Sequence, residues 1–489
     1  MDDLVSGILR DYEKIWSLHQ AQGLMGWDLE TYMPESAAKR RGDAFAQISL
    51  MEQAIYLSLR DRVYKLEDSQ NLSDLEKGII RQLRRKIHYF TVVPPELIAR
   101  LDRVSAESTV YWRKARKNSN FATFRPYLSQ LVEINRMIAE KLGYVGNSYN
   151  ALLDLYEEGL TIEDVDRVFS KLLSASKDIL DRVISDGYYS SKHKLEGKKY
   201  NIEEMHRVNE EILDLLLMPK ERFRMDISTH PFTIGMSSDD VRITTRYEGI
   251  NFKASLYSTI HESGHAIYEL QIPDEISTTP VWGGVSSGIH ESQSRFWENF
   301  IGRSMSFTEI ISPILKKHLK FLESYSLEEL YRYFNRVNPT MIRVDADEIT
   351  YNFHIAVRYE MEKQLVAGKM DVSEAPEVWN DLMEKYMGIR PKNYAEGILQ
   401  DVHWSQGSFG YFPTYSLGNV VAGMFWDSED FEEMIRNREF SEIKNKLYEK
   451  LHRYGSIYSP KDLLARTFGE SYNPEHLIRY LRNKYLKDQ

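Results

Sequence analysis

The chain has 489 residues, 42% of them hydrophobic, enough for a sizeable core in one large domain or two to three ordinary ones. Its formal net charge of -10 argues against a general nucleic-acid binder, which needs clustered positive charge. With no cysteine there is no disulfide, no thiolate metal site and no cysteine nucleophile, so a transition metal must rest on His, Asp or Glu.

The first residues are acidic, from Asp2-Asp3 to Arg10-Asp11, and lack the basic and apolar regions of a secretory signal. No apolar run reaches bilayer length; Val420 to Trp426 is among the longest. Together with the missing cysteines this reads as a cytoplasmic chain with no membrane partner.

Apolar residues recur at helical spacing over 3–20, 40–66, 74–90 and 123–142. Arg81, Arg84, Arg85 and Lys86 form the densest basic run and read as a solvated helix face. From Thr161 to Ile184 the pattern is clearest, with Thr161 and Asp164 to cap the start and Gly187 past the end. Ser190 to Lys199 reads as a solvated basic loop. Further helices are expected over 202–216, 307–322 and 354–367, so the fold class is mainly α. No linker, repeat or composition shift divides the chain, and residues 1–489 read as one domain.

One segment departs from this pattern. Val241, Ile243 and Thr245 alternate with Arg242, Thr244 and Arg246, as in a half-buried strand. A small β-sheet is therefore expected beside a helix from Phe252 through Glu269. Read as an edge strand, it can pair with the backbone of an extended peptide.

That helix carries His261-Glu262-Ser263-Gly264-His265. Two histidines four residues apart lie about one turn apart on one helix face and can share a metal. Glu262, beside the first ligand, is placed to act as general base on water. Imidazole and carboxylate ligands with an open position suit catalytic zinc, with cobalt as the alternative occupant. Glu291 is the third candidate ligand. It opens a helical stretch, His290-Glu291-Ser292-Gln293, behind the flexible Gly283 to Gly288, and no third histidine follows His265 at metzincin spacing. The bland alternatives are two incidental surface histidines and a first-turn glutamate favoured by the helix dipole.

The chain resembles the carboxypeptidase Taq family of thermostable metallocarboxypeptidases. The resemblance rests on motifs found in order: His230-Pro231-Phe232, Asp240-Val241-Arg242-Ile243-Thr244, His261 to His265, His290 to Gln293, Ile342-Arg343-Val344-Asp345-Ala346-Asp347, and Gly397 to Trp404. Trp27-Asp28 and Met33-Pro34 extend it towards the start. It implies a large helical domain with a deep central groove, a homodimer, and removal of single amino acids from peptide C-termini with broad specificity.

Roles follow as expectations. His261, His265 and Glu291 hold one zinc, and Glu262 moves the proton. His403, then Tyr415 and Tyr411, are candidate donors to a developing oxyanion, against a reading as packing residues. A substrate's terminal carboxylate calls for an arginine. Arg343 is the first choice; Arg242 and Arg358 are the alternatives, against a reading of all three as structural ion pairs. His230 is either a substrate contact or a buried, satisfied histidine. An aminopeptidase is disfavoured because no Gly-x-Met-x-Asn precedes His261. An endopeptidase with an open groove and a non-catalytic zinc-bearing helical scaffold remain as competing readings.

Overall fold

The computed structural model describes residues 2–66, 69 and 71–486. Eight α-helices come first: α1 (Asp3–Thr31), α2 (Ala38–Lys65), α3 (Asp74–Val92), α4 (Pro95–Lys117), α5 (Phe121–Leu142), α6 (Tyr149–Tyr156), α7 (Ile162–Asp186) and α8 (Ile202–Leu215). Three strands follow, β1 (Phe223–Ile227), β2 (Thr233–Ser237) and β3 (Asp240–Thr245), and then α9 (Phe252–Gln271), α10 (Ser287–Arg295) and α11 (Met305–His318). The remainder is α12 (Leu327–Phe334), α13 (Tyr351–Val366), α14 (Ala375–Met387), α15 (Pro413–Trp426), α16 (Phe431–Arg436), α17 (Phe440–Lys450), α18 (Pro460–Phe468) and α19 (Glu475–Tyr485). The mainly α class expected from the periodicity is the class observed.

Local chemistry explains the boundaries. Thr161 and Asp164 close a reciprocal capping box at the start of α7, and Gly187 ends the helix in the left-handed region at φ 80°. Ser73 and Glu76 do the same for α3. No helix among the described residues is long and apolar enough to cross a membrane.

Two readings need correction. The 241–245 strand is central, not an edge: the sheet order is β1-β3-β2, with β1 parallel and β2 antiparallel to β3. The open edge next to α9 belongs to β2. The stretch after Tyr188 is not wholly solvated either, because His193 and Leu195 are buried and His193 packs between Tyr325 and Tyr333.

The layers that position the site are α9, α10 and α15. Gly264 brings α9 onto α10 so closely that a Cβ there would lie 2.6 Å from the Gln293 carbonyl oxygen. Gly418 does the same for α15, where a Cβ would meet Glu291 Cγ at 2.8 Å. Glycine at these two contacts sets the interhelical distance. After Arg295, α10 runs on as one stretch of π-helix, Phe296–Ile301.

Candidate metal centre

His261 and His265 project from α9 on one face, their ring centroids 5.1 Å apart. Glu291 comes from the first turns of α10, whose start Ser286 caps by accepting from Ile289 N–H. Glu291 Oε2 lies 3.7 Å from His261 Nε2 and 3.4 Å from His265 Nε2. The three donor atoms fall within 4.8 Å of one another, a separation one small cation can span.

The donors fit a metal in their chemistry as well. Burial and the neighbouring His290 push the His265 imidazole down to about 3, which keeps it neutral and ready to donate a lone pair. Burial opposes ionisation of Glu291, but the Arg295 guanidinium and His261 hold its carboxyl well below the usual range. Arg295 Nε donates to Glu291 Oε1 at 2.7 Å, which leaves Oε2 turned towards the histidines.

An outer ring orients these groups. His261 Nδ1 lies 2.9 Å from Glu298 Oε2, and Arg303 donates to the other Glu298 oxygen at 2.8 Å. The His265 ring stacks on His290, centroids 4.5 Å apart, and His290 Nε2 meets Glu269 Oε1 at 2.7 Å. A carboxylate behind a ligating imidazole fixes its tautomer and raises its basicity. Sequence reasoning missed Glu298, Arg295 and Glu269. Arg295 was within reach, because it sits four residues after Glu291 on one helix face. Glu298 lies seven residues on, beyond where the helix turns to π geometry, and its pairing with α9 is a tertiary fact.

Glu262 is buried and accepts from Thr233 Oγ1 at 2.6 Å. Burial is the main cause of its carboxyl being raised above the ordinary value. Two cavities meet at this residue and His261. The first, about 680 Å³, is walled by Thr233, His265, Glu291, Tyr411 and Tyr415 among others. The second, about 760 Å³, has a mixed charged wall, with Arg246, Lys253, Arg336 and Arg343 interleaved with carboxylates such as Glu248 and Asp347. Arg85 also borders the first cavity, so the basic run on α3 is not simply a solvated face; Arg85 pairs with Asp154 at 2.8 Å.

The remaining expected residues are placed as follows. His403 is half-buried, with Nε2 3.2 Å from the Tyr415 hydroxyl; burial and the nearby Arg343 lower its imidazole to about 4. Burial pushes the Tyr411 phenol up to about 12, so it stays protonated and able to donate. Arg343 donates from Nε to Asp401 Oδ1 at 3.0 Å and from Nη1 to the Tyr351 hydroxyl at 3.1 Å. Arg358 grips the other oxygen of Asp401 but has no exposed surface. Arg242 forms a two-point pair with Asp240 and lies over the Trp27 ring, outside both cavity walls. His230 is exposed, which removes the buried reading, and it lines neither cavity, although Pro231 lines both.

A helix-borne His-Glu-x-x-His facing a carboxylate from the next helix, in a cleft, defines a metallopeptidase. The sequence profile of the carboxypeptidase Taq (M32) metallopeptidases matches residues 8–485. Thermostable carboxypeptidase 1 of Pyrococcus furiosus is 44% identical over 99% of each chain, and carboxypeptidase 1 of Bacillus subtilis 35% identical over 97% of this chain and 96% of its own. Among solved structures, the Pyrococcus furiosus carboxypeptidase superposes with a TM-score of 0.97, at 44% identity over 99% of both chains. Trypanosoma cruzi metallocarboxypeptidase 1 superposes at 0.94, with 33% identity over 99% of both chains. The chain belongs to the carboxypeptidase Taq (M32) family and is a metallocarboxypeptidase, a peptide hydrolase.

Proposed function

We propose that the chain is a zinc carboxypeptidase releasing single amino acids, with broad specificity, from peptides with a free C-terminus. The observation that carries this reading is the convergence of His261 Nε2, His265 Nε2 and Glu291 Oε2 beside the buried Glu262, where the two cavities meet. Two imidazoles and a carboxylate are a donor set suited to zinc, with cobalt as the alternative. The metal, when bound, polarises the scissile carbonyl and lowers the pKa of water.

The chain's own groups do the rest. Thr233 holds Glu262 Oε2, and Oε1 is the oxygen assigned to the attacking water. Glu262 takes the water's proton and delivers it to the leaving amine. The Tyr415 hydroxyl, oriented by His403, and the Tyr411 hydroxyl are assigned as donors to the oxyanion. The terminal carboxylate enters the second cavity, where Arg343 is the assigned anchor. Arg358 then supports Arg343 through Asp401, and Arg242 braces the sheet. His230 is assigned to the rim, next to Pro231.

Single-domain organisation, a cytoplasmic location and a homodimer complete the reading; sedimentation of the purified protein checks the last. The central test is mass spectrometry of a peptide digest with and without chelator. A ladder shortening from the C-terminus, stopped by chelator, is expected. Glu262→Gln should retain metal and lose turnover by several orders of magnitude. Cleavage of C-terminally amidated peptides at internal bonds would overturn the exopeptidase assignment.

A further inference from the structure

A third cavity, about 250 Å³, neighbours the first, with Gln82 in the walls of both. Tyr12, Trp16, Tyr56 and Trp282 give it aromatic walls, and the exposed His19 and Lys86 a polar rim. The indole N–H groups of Trp16 and Trp282 have no acceptor among the described residues. A bound group carrying an acceptor would satisfy them.

Strand β2 links this cavity to the metal centre. Thr233 lines the first cavity and touches Glu262, while Gly235 and Met236 line the third. Thr244 N–H donates to Phe232 C=O at 2.9 Å, which fixes the alternation along the antiparallel pair. The polar groups of Ile234 therefore turn to β3, and those of Thr233 and Gly235 turn to the open edge. At Met236 the edge closes, where Gln20 of α1 donates to its carbonyl. The two open positions are about 7 Å apart along the strand.

Resting on the carboxypeptidase reading, we propose that the third cavity is a specificity subsite. It takes an aromatic or large apolar side chain of the substrate, from the third residue upstream of the cleaved bond. On that reading the substrate's terminal carboxylate lies with Arg343 in the second cavity, on the far side of the metal centre. Its upstream segment must therefore leave past Thr233, and it pairs antiparallel with the open edge of β2. Two residues along, its side chain reaches the level of Gly235 and the aromatic wall. Gly235 keeps this level of the strand narrow, since an added Cβ would crowd Glu269 at 3.0 Å from its Cγ.

The test compares two pentapeptides that differ only by Phe or Ala at the third residue upstream of the terminal bond. An N-acyl dipeptide too short to reach the cavity serves as control. The metal-loaded protein should favour the Phe peptide by about tenfold or more in kcat/KM, through KM, as expected for burying a phenyl ring. Trp282→Ala should reduce the preference to within twofold and leave the N-acyl dipeptide rate unchanged. Lys86→Trp should do the same by filling the cavity from its exposed rim, at little risk to folding. No preference in the unmodified protein, or a preference that survives Lys86→Trp, overturns the subsite. Failure of the unmodified protein to hydrolyse the N-acyl dipeptide overturns the carboxypeptidase reading instead.

Discussion

Arg343 and Arg358 share one carboxylate, Asp401, and this arrangement separates two residues that sequence reasoning could only rank. Both cations hold Asp401 well below the usual carboxylate range despite its burial. Of the two, only Arg343 has a surface on the second cavity. Arg343→Ala is expected to raise KM for free-carboxylate peptides at least tenfold with a smaller change in kcat. Arg358→Ala should instead cost stability, about 3–5 kcal/mol, by leaving Asp401 half-paired in the interior. Steady-state kinetics and urea denaturation of the two variants decide the matter; an unchanged KM for Arg343→Ala moves the anchor to another cation of that wall.

Glu362 is a second case where single residues decide behaviour. Its carboxylate accepts from the Tyr149 hydroxyl and the Trp404 indole, each at 2.6 Å, and from Gly410 N–H at 2.8 Å. It thereby ties down the turn that carries His403 and leads to Tyr411. Burial pushes it from 4.5 to about 7. A carboxyl raised in the folded state binds its proton more tightly there than when unfolded. Its contribution to stability is therefore complete below pH 4.5 and is lost as pH rises through 7. Relative to Glu362→Gln, the unmodified protein should lose about 3 kcal/mol across that window. Denaturant midpoints of both proteins at the two ends of the window check this; a pH-independent difference contradicts it.

Among the elements, α9 was the most legible. Its strand, its glycine break and its two histidines follow from spacing alone, because an amphipathic period and a four-residue repeat are local properties. What spacing could not supply was the neighbour. That α10 meets α9 at Gly264 and α15 meets Glu291 at Gly418 depends on contacts distant in sequence. For the same reason the strand was taken for an edge when it is the middle of the sheet. Nothing in alternating Val241, Ile243 and Thr245 distinguishes one partner from two. The close approach gives a prediction. Gly264→Ala places a methyl 2.7 Å from Ser294 Cα, so the helices must separate. A loss of about 1–3 kcal/mol is expected from overpacking. Weaker metal retention should accompany it, because His265 and Glu291 are carried apart. Thermal midpoints and metal content after dialysis report the two effects.

At the scale of the whole molecule, the far end of the chain supports the site. The Tyr472 hydroxyl donates to Glu157 at 2.5 Å, and Glu157 in turn accepts from Ser286 Oγ at 2.6 Å and Gly288 N–H at 2.8 Å, at the start of α10. Leu477 fits against Gly423 of α15, where a Cβ would lie 2.8 Å from its nitrogen. The Tyr480 ring packs on Phe300 with centroids 4.0 Å apart, and its hydroxyl donates to the Asn299 carbonyl at 3.0 Å. Deleting the chain from Ser471 onward should therefore abolish metal retention and lower the thermal midpoint, even though all three donors remain. Full zinc stoichiometry in that truncation would show the tail to be dispensable.

The segment that props up α10 and α15 is remote from the residues it touches: the Tyr480–Asn299 and Tyr472–Glu157 hydrogen bonds span 181 and 315 residues. Contacts of that separation close long loops and are expected to form late in folding. Until they form, Glu291 lacks the scaffold that aims it at His261 and His265. A partly folded copy is therefore expected to carry all three donors without retaining metal.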